Sequence, residues 1–308
     1  MPAGLLNGLG AALAWGLTDV TSALAGRRIG SLAVLVVAQL ASLAFLVALA
    51  LADPARLVFR PDTVVLSAAL GLLSSVAYLT HFTALRIGPV AVVSPVVGAY
   101  GGMTVVLAVL LRGETLVPEQ WLGATLATIG VVLTGVVFTG GIRRARLFGP
   151  GVLLAIVSLT IWAFVSVGLA DPIRTVGWLP VILVSRLANS ATSLLVYGYA
   201  SRRETARLGP LLRAALVRAD GSRAEDGGTD GRGLLAAAAA GLVDAIGFVV
   251  FAIGIEFAPV WLVGLASSFG PAVAVVVAVG FLGERLRPIQ WLGLLAIGAG
   301  MVLIGLPH

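Results

Sequence analysis

Four acidic or basic side chains lie away from the ends of the apolar runs: Asp19, His81, Arg186 and Asp244. Each falls inside a long apolar run, where an ionised group costs several kcal/mol unless it faces a cavity or a partner. A carboxylate in such a place can hold a proton or a cation. That makes Asp19 and Asp244 candidates for proton coupling. Arg186 allows two chemistries. Its guanidinium can anchor a carboxylate or phosphate through paired hydrogen bonds, or it can pair with Asp19 or Asp244 and fix helix register. Neighbouring residues on the same helical faces supply polar and aromatic groups. Asn7, Trp15, Thr18 and Ser22 fall within about 80° of arc, with Asp19 at its edge. Ser67, Ser74, Tyr78 and His81 fall within about 60°. Arg186, Asn189, Ser190, Ser193 and Tyr197 form a third stripe, about 100° wide.

Other chemistries are excluded. Cysteine is absent, so thiolate metal sites, cysteine nucleophiles and disulfides are ruled out. The histidines at 81 and 308 form no HExxH motif, and there is no phosphate-binding loop. No catalytic residues, metal site or cofactor are therefore expected, and the chain is not read as an enzyme. All 20 basic residues are arginine, and no basic patch is interleaved with exposed aromatics, which excludes a nucleic-acid partner.

The elements that must position these groups follow from composition. Of 308 residues, 59% are hydrophobic and 11% charged, against about a quarter charged in soluble domains. Mean hydropathy is +1.07. Twelve of the charges lie between Arg202 and Arg232. A bilayer core needs about 20 apolar residues per helix. Cutting at charges, prolines and glycines predicts ten spans: 4–25, 31–52, 63–85, 89–111, 118–138, 148–170, 178–200, 233–255, 259–282 and 288–306. The fold class is therefore an all-α integral membrane bundle. The first span, interrupted by Asp19 and lacking a basic leader, reads as retained and not as a cleaved signal. The stretch 201–232 reads as a polar flexible loop, with LGPLLRAALVRA as a short amphipathic helix on the membrane surface.

The chain repeats itself. Residues 89–135 align without gaps to 259–305, with 19 identities in 47 positions. Gly113-Glu114-Thr115-Leu116-Val117-Pro118-Glu119-Gln120-Trp121-Leu122-Gly123 meets Gly283-Glu284-Arg285-Leu286-Arg287-Pro288-Ile289-Gln290-Trp291-Leu292-Gly293. The first two spans of each half align at a different offset, pairing Trp15 with Trp162, Asp19 with Ser166, Arg27 with Arg174 and Gln39 with Arg186. The halves are 1–140 and 147–308. Each holds five spans. Five is odd, so the halves enter the membrane in opposite senses. Such inverted repeats give a route to alternating access around a midplane site.

The doubled G-E-x-L-x-P-x-Q-W-L-G signature and the five-plus-five spans resemble the drug/metabolite transporter superfamily, EamA type. The resemblance covers nearly the whole chain outside 201–232. It implies a central cavity lined mainly by spans 1, 3, 4, 6, 8 and 9. It further implies secondary transport of a small-molecule solute across the plasma membrane, as a monomer or homodimer in the lipid bilayer. Members export amino acids, metabolites or drugs, and multidrug members use a first-helix acid for protons and cations. Glu114 and Glu284 then look structural, organising the 4–5 and 9–10 turns. Within such a cavity the expected lining is Asn7, Trp15, Thr18 and Asp19 from span 1, and Ser74, Tyr78 and His81 from span 3. Ser94 and Tyr100 come from span 4, Trp162 from span 6, Asp244 and Phe248 from span 8, and Trp261 and Ser268 from span 9. Pro95 and Pro271 interrupt helices nearby. A lipid-headgroup flippase, or an uncoupled uniporter or exchanger of the same fold, is the alternative.

Orientation stays open. Linkers 1–2, 3–4, 5–6, 7–8 and 9–10 carry fifteen arginines and the opposite face four. The positive-inside rule then puts both termini outside, whereas the resemblance implies both in the cytoplasm.

Overall fold

The computed structural model describes residues 2–88, 90–134, 150–202, 230–273 and 288–305. The 201–232 loop except its ends, its amphipathic segment, Glu284 and the second half of span 9 lie outside the described residues. The chain forms helices α1 (Pro2–Ile29), α2 (Ser31–Ala52), α3 (Pro61–Ile87), α4 (Val90–Gly98), α5 (Tyr100–Arg112) and α6 (Pro118–Thr134). The second half supplies α7 (Pro150–Gly168), α8 (Ala170–Val176), α9 (Trp178–Ser201), α10 (Gly231–Phe257), α11 (Val260–Ser267) and α12 (Pro288–Gly305). No strand occurs among the described residues. Span 4 is α4 with α5, span 6 is α7 with α8, and span 9 begins with α11. Six helical stretches among the described residues are long and apolar enough to cross a membrane.

Sequence grammar sets the helix ends. Pro61, Pro118, Pro150 and Pro288 open their helices, where a missing N–H costs nothing. Gly113 follows α5 in the left-handed conformation (φ 63°) that favours glycine. Span 4 breaks at Ala99, four residues after Pro95, whose carbonyl still accepts the Ala99 N–H. Span 9 breaks at the equivalent place, after Ser267.

Packing obeys the repeat. The α1·α10 pair in one direction matches α7·α3 in the other, and α10·α2 matches α3·α9. Spans 5 and 10 pair as α6·α12, and α2·α9 cross between the halves. Glycines mark the closest approaches, as small residues do where membrane helices meet. A methyl on Gly71 would strike the backbone of Ser185, and one on Gly241 would strike Ala38, its repeat equivalent. Gly123 and Gly130 face the carbonyls of Gly300 and Gly293 in the same reciprocal way. The fold is thus a ten-span bundle of two inverted five-helix repeats.

Gly241→Ala is expected to push α10 from α2 and to destabilise by about 1–3 kcal/mol, as overpacking does. Gly298→Ala, with nothing within 4 Å, is expected to stay within about 0.5 kcal/mol. Thermal melts in detergent would check the pair.

Candidate functional site

Two polar clusters lie where the repeats meet. In the first, Arg186 of α9 is buried and donates from Nη1 to Gln39 Oε1 at 2.5 Å and to Tyr78 Oη at 3.0 Å. Its Nη2 lies 3.0 Å from Asp244 Oδ2. Tyr78 Oη donates to the same carboxylate oxygen at 2.7 Å. The guanidinium carbon stands 4.7 Å from the Phe248 ring centroid and 5.4 Å from that of Tyr78. Asp244 is at the midpoint of α10. Arg186 therefore pairs with Asp244, one of the two carboxylates the sequence offered, and not with Asp19. Gln39 is the repeat equivalent of Arg186, and Phe248 that of Tyr78, so the guanidinium lies on the axis relating the halves.

The second cluster belongs to Asp19. Ser94 Oγ of α4 donates to Asp19 Oδ2 at 2.5 Å. His81 Nε2 of α3 stands 3.2 Å from Asp19 Oδ1, out of line for a hydrogen bond. All three are buried. No pattern along the sequence indicated this pairing, because the residues sit on three helices.

Both clusters open on one cavity of about 70 Å³. That holds about five water molecules and is well below the roughly 300 Å³ of a typical ligand site. A medium-sized solute therefore needs the helices to part. Trp15, Thr18, Asp19, Tyr78, His81, Ser94 and Tyr100 line it from the first half. Trp162, Asp244, Phe248 and Ser268 line it from the second. Trp15 packs against Phe248 and Phe251 with centroids at 5.3 Å. Trp162 packs against Tyr78 at 4.7 Å, the same arrangement turned over. Tyr100 Oη and Ser267 Oγ are 2.5 Å apart, joining spans 4 and 9 on its wall.

Three expected lining residues lie elsewhere. Asn7 donates to Ala3 O at 2.9 Å near the start of α1. Ser74 turns back onto Leu70 O at 2.8 Å. Trp261 is fully buried in the core, with its backbone N–H held by Glu114. Ser166, Phe251 and Ser267 also line the cavity. The repeat register points to the first two, since they are the equivalents of Asp19 and His81. Phe82 and Val97 also line it, and no sequence signal marks them. Among the described residues no group of acids and histidines could hold a metal ion.

An inverted repeat folded around a central cavity with charged and aromatic walls is the architecture of a secondary carrier. The sequence profile of the EamA-like transporter family matches residues 2–136 and 149–306. The chain belongs to that family, a transporter family and not an enzyme family, and so to the drug/metabolite transporter superfamily. A crystal structure of a protein superposes with TM-score 0.75 at 21% identity, covering 99% of this chain and 97% of its own, which establishes the common fold. No curated protein matches the sequence. The chain is a multi-pass membrane transporter of a small-molecule solute.

Asp244→Asn leaves a buried guanidinium without its counter-charge and is expected to cost about 3–5 kcal/mol. Replacing both partners, Asp244→Leu with Arg186→Met, is expected to lose less. Melting temperatures of the purified variants would decide it.

Proposed function

We propose that this chain is a proton-coupled secondary transporter of the plasma membrane. It exports small organic metabolites, amino acids or amphiphilic drugs, by alternating access, as a monomer or homodimer. One observation carries the coupling. Of the two cavity carboxylates among the described residues, Asp244 is committed to Arg186, while Asp19 meets the Ser94 hydroxyl and the His81 imidazole there. Asp19 is then the acid that gives up a proton when a solute arrives, and His81 is its partner in that exchange. Asp244, the other acid considered for coupling, serves to neutralise Arg186. The aromatic walls suit the body of an organic solute, and their faces can receive a cation. Export and the metabolite class follow from the superfamily resemblance.

The lipid-headgroup alternative needs a free cation for a phosphate. Arg186 is the only arginine at the cavity's depth among the described residues, and its charge is already met by Asp244, with Gln39 and Tyr78 accepting from Nη1. This arrangement favours a solute bearing an amine over one bearing only anionic groups.

The test is proton release from purified protein in weak buffer on adding amino acids, lipophilic cations or phosphorylated metabolites. Release is expected with an amine-bearing class and is expected to vanish in Asp19→Asn. His81→Gln should move its pH dependence. Release that survives Asp19→Asn would overturn the assignment. Binding without any release would favour the uncoupled uniporter or exchanger.

A further inference from the structure

The face carrying only four arginines is tied shut by two of them. Arg174, at the end of α8, donates from Nε to Ile255 O at 3.2 Å and from Nη2 to Ala258 O at 2.8 Å. These carbonyls close α10, where a helix presents unpaired acceptors and partial negative charge. Arg112, at the end of α5, reaches Asp171 Oδ1 at 2.7 Å and Glu114 Oε1 at 3.5 Å. Glu114 in turn accepts the Val260 and Trp261 N–H groups, both at 3.1 Å, at the start of α11. Glu114 thus joins the two repeats, where the sequence suggested a role within its own turn. The ends of spans 4, 6, 8 and 9, which line the cavity, are bound together on this face.

The repeat register states what the opposite face would need. Arg27 is the equivalent of Arg174, and Leu85 and Gly88 are those of Ile255 and Ala258. Arg27 is exposed and makes no hydrogen bond or ion pair among the described residues. Yet the end of α1 already borders that of α3: a Cβ on Gly26 would lie 3.8 Å from Arg86 Cβ. Spans 1 and 8 meet on that face through Arg28 and Asp230 at 3.3 Å, both partly open to water, and through Ile29 against Gly233. Span 6 is broken at Leu169 to bring Arg174 in, whereas span 1 runs unbroken to Ile29. The Arg112–Asp171 pair has no counterpart, since its equivalents are Leu282 and Leu24.

We propose that Arg174 and Arg27 are alternating latches. Each docks on the carbonyls at the end of the neighbouring span when its own face is closed, and the structure is the state closed on the arginine-poor face. The Arg112–Asp171 pair, which only this state contains, biases the resting equilibrium toward it, because an interaction present in one state alone shifts populations. The inference rests on the alternating-access reading of the repeat and is independent of substrate and of proton exchange.

The test exploits the absence of cysteine. Leu169, buried on the cavity wall, is replaced as Leu169→Cys in the full chain in phosphatidylcholine–phosphatidylglycerol vesicles. A membrane-impermeant maleimide is applied, with Asp53→Cys in the 53–60 linker reporting the arginine-poor face. Labelling without solute is expected to be slow in the parent. Adding Arg174→Ala should raise it at least about fivefold, the lower end of ordinary coupling between states. Asp171→Asn should raise it as well, and this side chain is 76% exposed, so its loss leaves the fold intact. Arg27→Ala combined with Arg174→Ala should bring labelling back toward the parent rate, because both states then lose a latch. Unchanged labelling in Arg174→Ala and Asp171→Asn would overturn the proposal. So would Arg27→Ala adding to the rise, since a residue that merely stabilises the fold would act in that direction. Labelling requires no transport, so failure here is separate from failure of the proton-exchange reading.

Discussion

A permanent positive charge in the middle of a membrane bundle must be neutralised by the protein itself, because hydrocarbon cannot solvate it. Arg186 imposes that requirement, and the centre of the molecule is arranged to meet it. Asp244 supplies the counter-charge, Tyr78 bridges the two, Gln39 fills the remaining acceptor position, and the Phe248 ring covers the guanidinium. These partners come from spans 2, 3 and 8, so one side chain of span 7 pins both repeats at their axis. The pairing also fixes what is left for function. With Asp244 bound to Arg186, Asp19 is the other carboxylate on the cavity, and the proposed proton exchange falls to it.

The two halves share packing and differ in chemistry. Reciprocal glycine approaches at Gly71 and Gly241, and at Gly123 and Gly130, keep the backbones matched. The aromatic pairs Trp15–Phe248 and Trp162–Tyr78 repeat the same contact. Polar residues break the symmetry: Asp19 is the repeat equivalent of Ser166, His81 of Phe251, Arg186 of Gln39 and Asp244 of Ser74. A frame that is nearly symmetric lets two conformations exchange at similar energy, and asymmetric groups decide which one rests and what binds. This separation is why membership of the family defines the fold without defining the solute.

Much of this was legible before the structure. Apolar runs bounded by prolines and arginines locate the spans, and the doubled signature gives the repeat and its inverted sense. Helical angle put Trp15, Thr18, Tyr78 and His81 on faces that line the cavity. It could not say where along the bundle each face meets a neighbour. Asn7 shares the arc of Trp15 but lies two turns nearer the end of α1, outside the cavity. Trp261 lies in the first turn of span 9 and is absorbed by the core. Partner choice was equally hidden: two carboxylates were available to Arg186, and only the crossing of α9 with α10 selects Asp244. Glu114 reads from sequence as a turn residue. Its bond to the start of α11 depends on how the repeats close on each other, which no local pattern encodes.

The two buried carboxylates are bound differently, Asp244 by Arg186 and Tyr78 and Asp19 by Ser94 beside His81, and the proposed proton exchange belongs to Asp19. Infrared difference spectroscopy of the reconstituted protein, acidified stepwise, would observe this directly through the carboxylic acid C=O band. The account predicts one such band from the membrane interior, absent in Asp19→Asn and displaced in His81→Gln. A band that persists unchanged in Asp19→Asn would place the titrating proton elsewhere and contradict the account.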